Sequence, residues 1–200
     1  MKIHLPKVTF SLAAALALAA CSPSPGISYP DDAQIAAALD QQLASDPNSA
    51  AALALIRTLG GEQGKLRYQI KRVVYRQGAY EVHYDAALHM GQAGTDSLKA
   101  LYASMIPEAE RGKLSPDALE TYEGWLKQHA ETLQKDAAHR GEGQVLANTV
   151  ALLDQCYRRV KPGEEIPVLQ TLGALLSPER KGLYAEKIVL PGTTVRCLPL

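Results

Sequence analysis

The chain has 200 residues, with 21 basic and 21 acidic side chains and three cysteines. Without its first 20 residues, read below as a processing signal, it keeps 19 basic against 21 acidic residues, a net charge of −2. That balance argues against a nucleic-acid surface. About 180 residues suffice for one sizeable core, and no second apolar run is long enough to cross a bilayer.

The N-terminus carries an address. Lys2 and Lys7 form a positive start, and Phe10 to Ala20 is an apolar run of about ten residues, right for a signal segment and too short for a spanning helix. The run ends at Leu18-Ala19-Ala20-Cys21, which resembles the lipobox of bacterial lipoproteins. The resemblance implies a signal peptide over 1–20, cleavage after Ala20, a diacylglyceryl thioether on Cys21 and an acyl chain, palmitate being one, on the new amine. Two or more chains at about 0.8 kcal/mol per buried CH2 make detachment slow. Ser22 follows where an aspartate would imply retention in the inner membrane, so the implied location is the periplasmic face of the outer membrane. Ser22 to Gly26 is rich in Pro and Ser, and residues 21–30 read as a lipidated tether. Residues 31–200 then form a single periplasmic domain.

Within that domain, Ile35, Leu39 and Leu43 recur at steps of four and predict a helix over 31–44. Asp46-Pro47 reads as a cap and first-turn proline for a second helix that stops at Gly60-Gly61. The period then changes to two. Leu66, Tyr68 and Ile70 alternate with Arg67, Gln69 and Lys71, and Tyr80, Val82, Tyr84, Ala86 and Leu88 alternate with Glu81, His83, Asp85 and Ala87. Arg76-Gln77-Gly78 between them marks a hairpin with one buried and one wet face. Thr95 or Asp96 can cap a helix ending near Pro107. Ser115-Pro116-Asp117 reads as the start of another, carrying Tyr122, Trp125, Leu126 and His129. A further helix follows Gly143 and reaches Cys156, and Lys161 to Glu165 breaks it. A short helix is predicted around Val168 to Leu176, then two strands paired about Pro191-Gly192. The expectation is an α+β fold of about six helices with a small antiparallel sheet built from two hairpins.

Cys156 and Cys197 are an even pair in an oxidising compartment and predict a disulfide. A loop of about 40 residues closed this way contributes about 3–4 kcal/mol in the loop-entropy model. Glu81, His83 and Asp85 share a strand face at steps of about 6–7 Å, but facing Arg67, Gln69 and Lys71 favour charge pairing over a metal site. His129 reads as a partly buried histidine on its helix and His139 as a solvated one. The sequence contains no Gly-x-Ser-x-Gly, phosphate loop, HExxH or CxxC, so no cofactor and no catalytic residue is assigned, and the domain is read as non-catalytic.

The disulfide would bring Arg158, Arg159 and Arg196 together, where guanidinium forks can grip a carboxylate or phosphate. Pairing with Glu164, Glu165 or Glu186 is the plainer use. Tyrosine is the dominant aromatic and suits interfaces; near the hairpin turn, Tyr75 or Tyr80 is the one expected to stay exposed. The expected role is that of a protein-binding module, anchored to the membrane by lipid. Its partner would be a periplasmic or secreted protein, as for an inhibitor or immunity protein against an envelope-targeting toxin or cell-wall hydrolase. The alternative is an envelope assembly or cell-wall accessory lipoprotein that meets peptidoglycan or lipid phosphate.

Overall fold

The alternation over residues 66–88 becomes two long strands that organise the molecule. A computed structural model describes residues 27–199. The signal segment, the lipobox and Cys21 lie outside the described residues. Helix α1 (Asp32–Ser45) opens on a capping box: Asp31 Oδ1 accepts from Gln34 N at 2.8 Å, and Gln34 Oε1 accepts from Asp31 N at 3.0 Å. These bonds satisfy amides that a helix start otherwise leaves orphaned. Asp46 caps a 3-10 turn at Pro47–Ser49, which leads into α2 (Ala50–Gly60). Strands β1 (Lys65–Arg76) and β2 (Ala79–His89) meet at Gln77-Gly78. Their φ values of 50° and 92° are those of the two-residue turn whose twist suits a hairpin.

Four helices follow: α3 (Gly94–Met105), α4 (Glu108–Arg111), α5 (Leu119–Lys135) and α6 (Arg140–Tyr157). Two expected caps are replaced. Helix α3 has Ala93 at its cap with no side-chain bond, so neither Thr95 nor Asp96 serves. Helix α5 begins at Leu119, beyond Ser115-Pro116. Asp117 instead accepts from Tyr122 Oη at 2.7 Å and faces Lys99 Nζ at 3.2 Å.

The predicted helix around Val168 to Leu176 is a strand. Strand β3 (Glu165–Glu179) pairs with β2 on one side, and on the other with β4 (Gly182–Ile188) and β5 (Thr194–Val195). The second hairpin is therefore β3–β4, turning at Arg180-Lys181, and not a pair about Pro191-Gly192. The sheet order is β1-β2-β3-β4, antiparallel throughout, with β5 beside β3 at Leu169 and Gln170. Among the described residues, six helices and this small sheet make an α+β fold. The helix count matches expectation only because the unforeseen α4 replaces the helix that proved to be β3.

The buried side chains form two clusters in line along the sheet. One lies toward the hairpin turns, where Ile35 and Leu39 of α1 meet Tyr80, Val82, Tyr84, Ala174, Leu176 and Ala185. The other lies at the opposite end, where α2, α3, α5 and α6 enclose Leu88, Met90, Ile166 and Val168. Tyr102 and Tyr157 are fully buried there and donate to the carbonyls of Val150 and Cys197 at 3.1 and 2.8 Å. Burial pushes both phenols above the ordinary tyrosine pKa. Cys156 and Cys197 form the predicted disulfide, joining α6 to the residues after β5.

Candidate functional site

Both clusters use the same face of the sheet, so the opposite face is left to solvent. On β1 the outward residues Lys65, Arg67, Gln69, Lys71, Arg72 and Arg76 are exposed, and on β2 every outward residue is half-buried. Where β3 begins to pair with β4, at Gly173, this face is closed locally. Ile188 and Leu190 lie over Gly173 so tightly that a Cβ there would approach them within 2.9 Å.

The open part is bent by register shifts on both sides of β2, one in β1 and two in β3. In β1, Ile70 pairs with Tyr84 and Arg72 with His83, which leaves Lys71 as the extra residue. In β3 the register jumps between Pro167, opposite Ala87, and Leu169, opposite Ala86, and again between Leu169 and Leu172, opposite Tyr84. Thr171 within that jump has φ 59°, a left-handed conformation that is an outlier for a β-branched residue. Asp85 stands between the bulges. It accepts from Thr171 N at 2.9 Å and faces Lys71 Nζ at 3.3 Å.

Beside these register shifts lies a hollow of about 600 Å³, with Arg67, Gln69, Asp85, Glu165, Pro167 and Gln170 in its wall together with Asp32 of α1 and the inward Tyr68 and Ile70. A second hollow of about 520 Å³ shares Arg67 and adds Glu62, Lys65 and His89. Among the described residues Arg67 makes no ion pair, and the buried His89 Nδ1 has no hydrogen-bond partner. Bulges and strained residues concentrate where a sheet is shaped for binding. The sequence displays the polar residues of this face but not the hollow, which depends on the register of β1 and β3 against β2.

The chemistry singled out from sequence is used internally. His83 Nε2 lies 2.7 Å from Glu81 Oε1, and Arg76 Nε lies 2.6 Å from Glu81 Oε2. The hydrogen bond from His83, aided by the charges of Arg76 and Arg72, holds the Glu81 carboxyl below its ordinary pKa against a smaller desolvation. Among the described residues, no group of three His, Cys, Asp or Glu side chains has metal-ligand geometry. His129 is exposed rather than partly buried, its ring stacked 4.7 Å from that of Trp125. His139 is exposed, with Asp136 and Glu142 nearby.

Of the three arginines, Arg158 donates to Asp154 on its own helix and to Glu123 on α5, and not to Glu164, Glu165 or Glu186. Arg159 and Arg196 are exposed, on either chain leading from the disulfide, and make no ion pair among the described residues. Tyr75 is 36% exposed, whereas Tyr80 is 8% exposed and donates to the carbonyl of Ser28 at 2.6 Å. Of the two tyrosines by the turn, Tyr75 is the open one. No family model, curated protein or solved structure matches the chain.

Proposed function

We propose that this chain is an outer-membrane-anchored periplasmic lipoprotein that acts as a non-catalytic protein-binding module. In its sharpest form it is an inhibitor or immunity protein against an envelope-targeting toxin or cell-wall hydrolase. The observation that carries the binding role is the open outer face of the sheet, hollowed beside the register shifts that flank β2 and bordered by Arg67, whose charge has no ion-pair partner among the described residues. Charge of this kind steers encounter and sets register with a complementary partner. The anchor rests on the lipobox resemblance at Cys21.

The test is affinity capture from a periplasmic fraction with the mature chain, disulfide intact, followed by mass spectrometry. A single stoichiometric toxin or hydrolase, lost on Arg67→Glu while the fold is kept, is the expected result. Recovery of resident envelope components alone would overturn the inhibitor reading. A second reading, an accessory lipoprotein that binds peptidoglycan or lipid phosphate, draws on Arg159 and Arg196, exposed beside the disulfide. It predicts retention of peptidoglycan fragments that is lost on replacing both arginines with Gln.

A further inference from the structure

The residues that enter the domain from the N-terminus are clasped to the tip of the first hairpin. Tyr80 Oη donates to the Ser28 carbonyl at 2.6 Å, and the Tyr80 ring lies 5.7 Å from Tyr29 and 5.4 Å from Tyr75. Outside this clasp, Ile27 is 54%, Tyr29 55% and Tyr75 36% exposed. The β3–β4 turn reaches the same end of the sheet, since Tyr80 pairs with Leu176 and Glu179 with Gly182. It adds exposed Arg180 and Lys181 beside Glu179. One end of the domain therefore gathers three exposed apolar side chains, two of them tyrosines, with two cations.

We infer that this end is a membrane-resting surface, with Ile27, Tyr29 and Tyr75 seated at the headgroup level of the bilayer that holds the chain's own lipid. The inference rests on the lipid-anchor reading of Cys21. Its occupant follows from chain length: Cys21 precedes Ile27 by six residues, which span at most about 21 Å when fully extended. With Ser28 held by Tyr80, the domain cannot retreat further, and the end it keeps nearest the lipid is the aromatic one. Tyrosine, with an apolar ring and a polar tip, is the side chain that settles at a membrane–water interface. The opposite end, with the disulfide, Arg159 and Arg196, then faces away from the membrane.

The test couples the mature chain through the Cys21 thiol to a maleimide lipid; Cys156 and Cys197, being bonded, do not react. The conjugate is placed in nanodiscs of phosphatidylethanolamine and phosphatidylglycerol doped with a gadolinium-headgroup lipid, and amide broadening is read by NMR. Strongest broadening at Tyr29, Gln77, Gly78 and Lys181, with none at Gly163, is expected. The double variant Tyr29→Ser, Tyr75→Ser, both exposed positions, should lose that contrast while its spectrum stays dispersed. Broadening that is uniform, or greatest at Gly163 or Arg159, would overturn the orientation. Separately, cells fed labelled palmitate should mark the wild type and not Cys21→Ser. Failure of that labelling overturns the anchor reading itself, whatever the synthetic anchor does.

Discussion

Asp85 accepts the Thr171 backbone N–H at 2.9 Å, across from β2 to the bulge of β3. Its other oxygen faces Lys71, the extra residue of the β1 bulge. One carboxylate thus braces the β1 bulge at Lys71 and the β3 bulge at Thr171. Asp85→Ala should cost about 1 kcal/mol, the net worth of a hydrogen bond, and speed amide exchange at Thr171. Asp85→Asn keeps an acceptor and should cost less. Urea denaturation of the two variants checks this; equal stability of Asp85→Ala and wild type would remove the bracing role.

Thr171 itself holds φ 59° with a β-branched side chain. Asparagine tolerates that region far better. Thr171→Asn should stabilise the protein by roughly 0.5–1 kcal/mol while keeping the Thr171 N–H bond to Asp85. Thermal melts would read it, and a lower melting temperature would contradict the strain argument.

Two glycines should respond in opposite directions. A Cβ on Gly94 would stand 1.8 Å from the Tyr157 carbonyl oxygen, where α3 meets the end of α6. Backbone cannot swing aside as a side chain can, so Gly94→Ala should cost about 3 kcal/mol or more. Gly124, exposed in the middle of α5, has open space around its would-be Cβ. Gly124→Ala should add about 0.5–1 kcal/mol through helix propensity. Chemical denaturation of both single variants, side by side, is the check.

Removing the disulfide should cost about 3–4 kcal/mol, because Cys156 and Cys197 lie 41 positions apart and the bond restricts the unfolded chain. The double variant Cys156→Ser, Cys197→Ser should unfold at a correspondingly lower urea midpoint. Its effect should be felt at Tyr157, whose hydroxyl donates to the Cys197 carbonyl.

Acid should loosen the contact between α5 and α6. Desolvation opposes ionisation of Glu123, but hydrogen bonds from Lys127 and Arg158 outweigh it and hold the carboxyl below its ordinary value. A depressed carboxylate stabilises fully above its unfolded pKa of about 4.3 and loses that contribution as pH falls through the folded value. Stability of the wild type should therefore decline below about pH 4.3 more steeply than that of Glu123→Gln. Urea midpoints from pH 6 to pH 3 on both proteins would show the difference, and parallel curves would exclude Glu123 as a source.

The first hairpin was legible because period two runs unbroken along β2, where each inward residue is buried and each outward one is not. The disulfide followed from cysteine parity and from the compartment that the lipobox resemblance implies. Strand β3 was not legible. Val168, Leu172, Leu175 and Leu176 fall at helical spacing, and the bulge at Thr171 produces that spacing by breaking the alternation. The caps at Ser115 and Thr95 misled for a different reason. Helices α3 and α5 start at Gly94 and Leu119 with no side-chain cap, and Asp117, beside the expected cap, accepts from Tyr122 instead. The hollow beside Arg67 had no sequence signal, since it depends on register on both sides of β2.

Strands β2 and β3 each send side chains into both buried clusters, Val82 and Ala174 into one and Leu88 and Ile166 into the other. Neither cluster can come apart without fraying the strands that line its neighbour. The domain should therefore open as a single cooperative unit in native-state exchange, with one protection class for both clusters; two well-separated classes would argue otherwise. For any folded protein that meets a protease, that linkage has a practical meaning. The attacker meets either a closed molecule or a wholly open one, and finds no half-unfolded form in which to make a first cut.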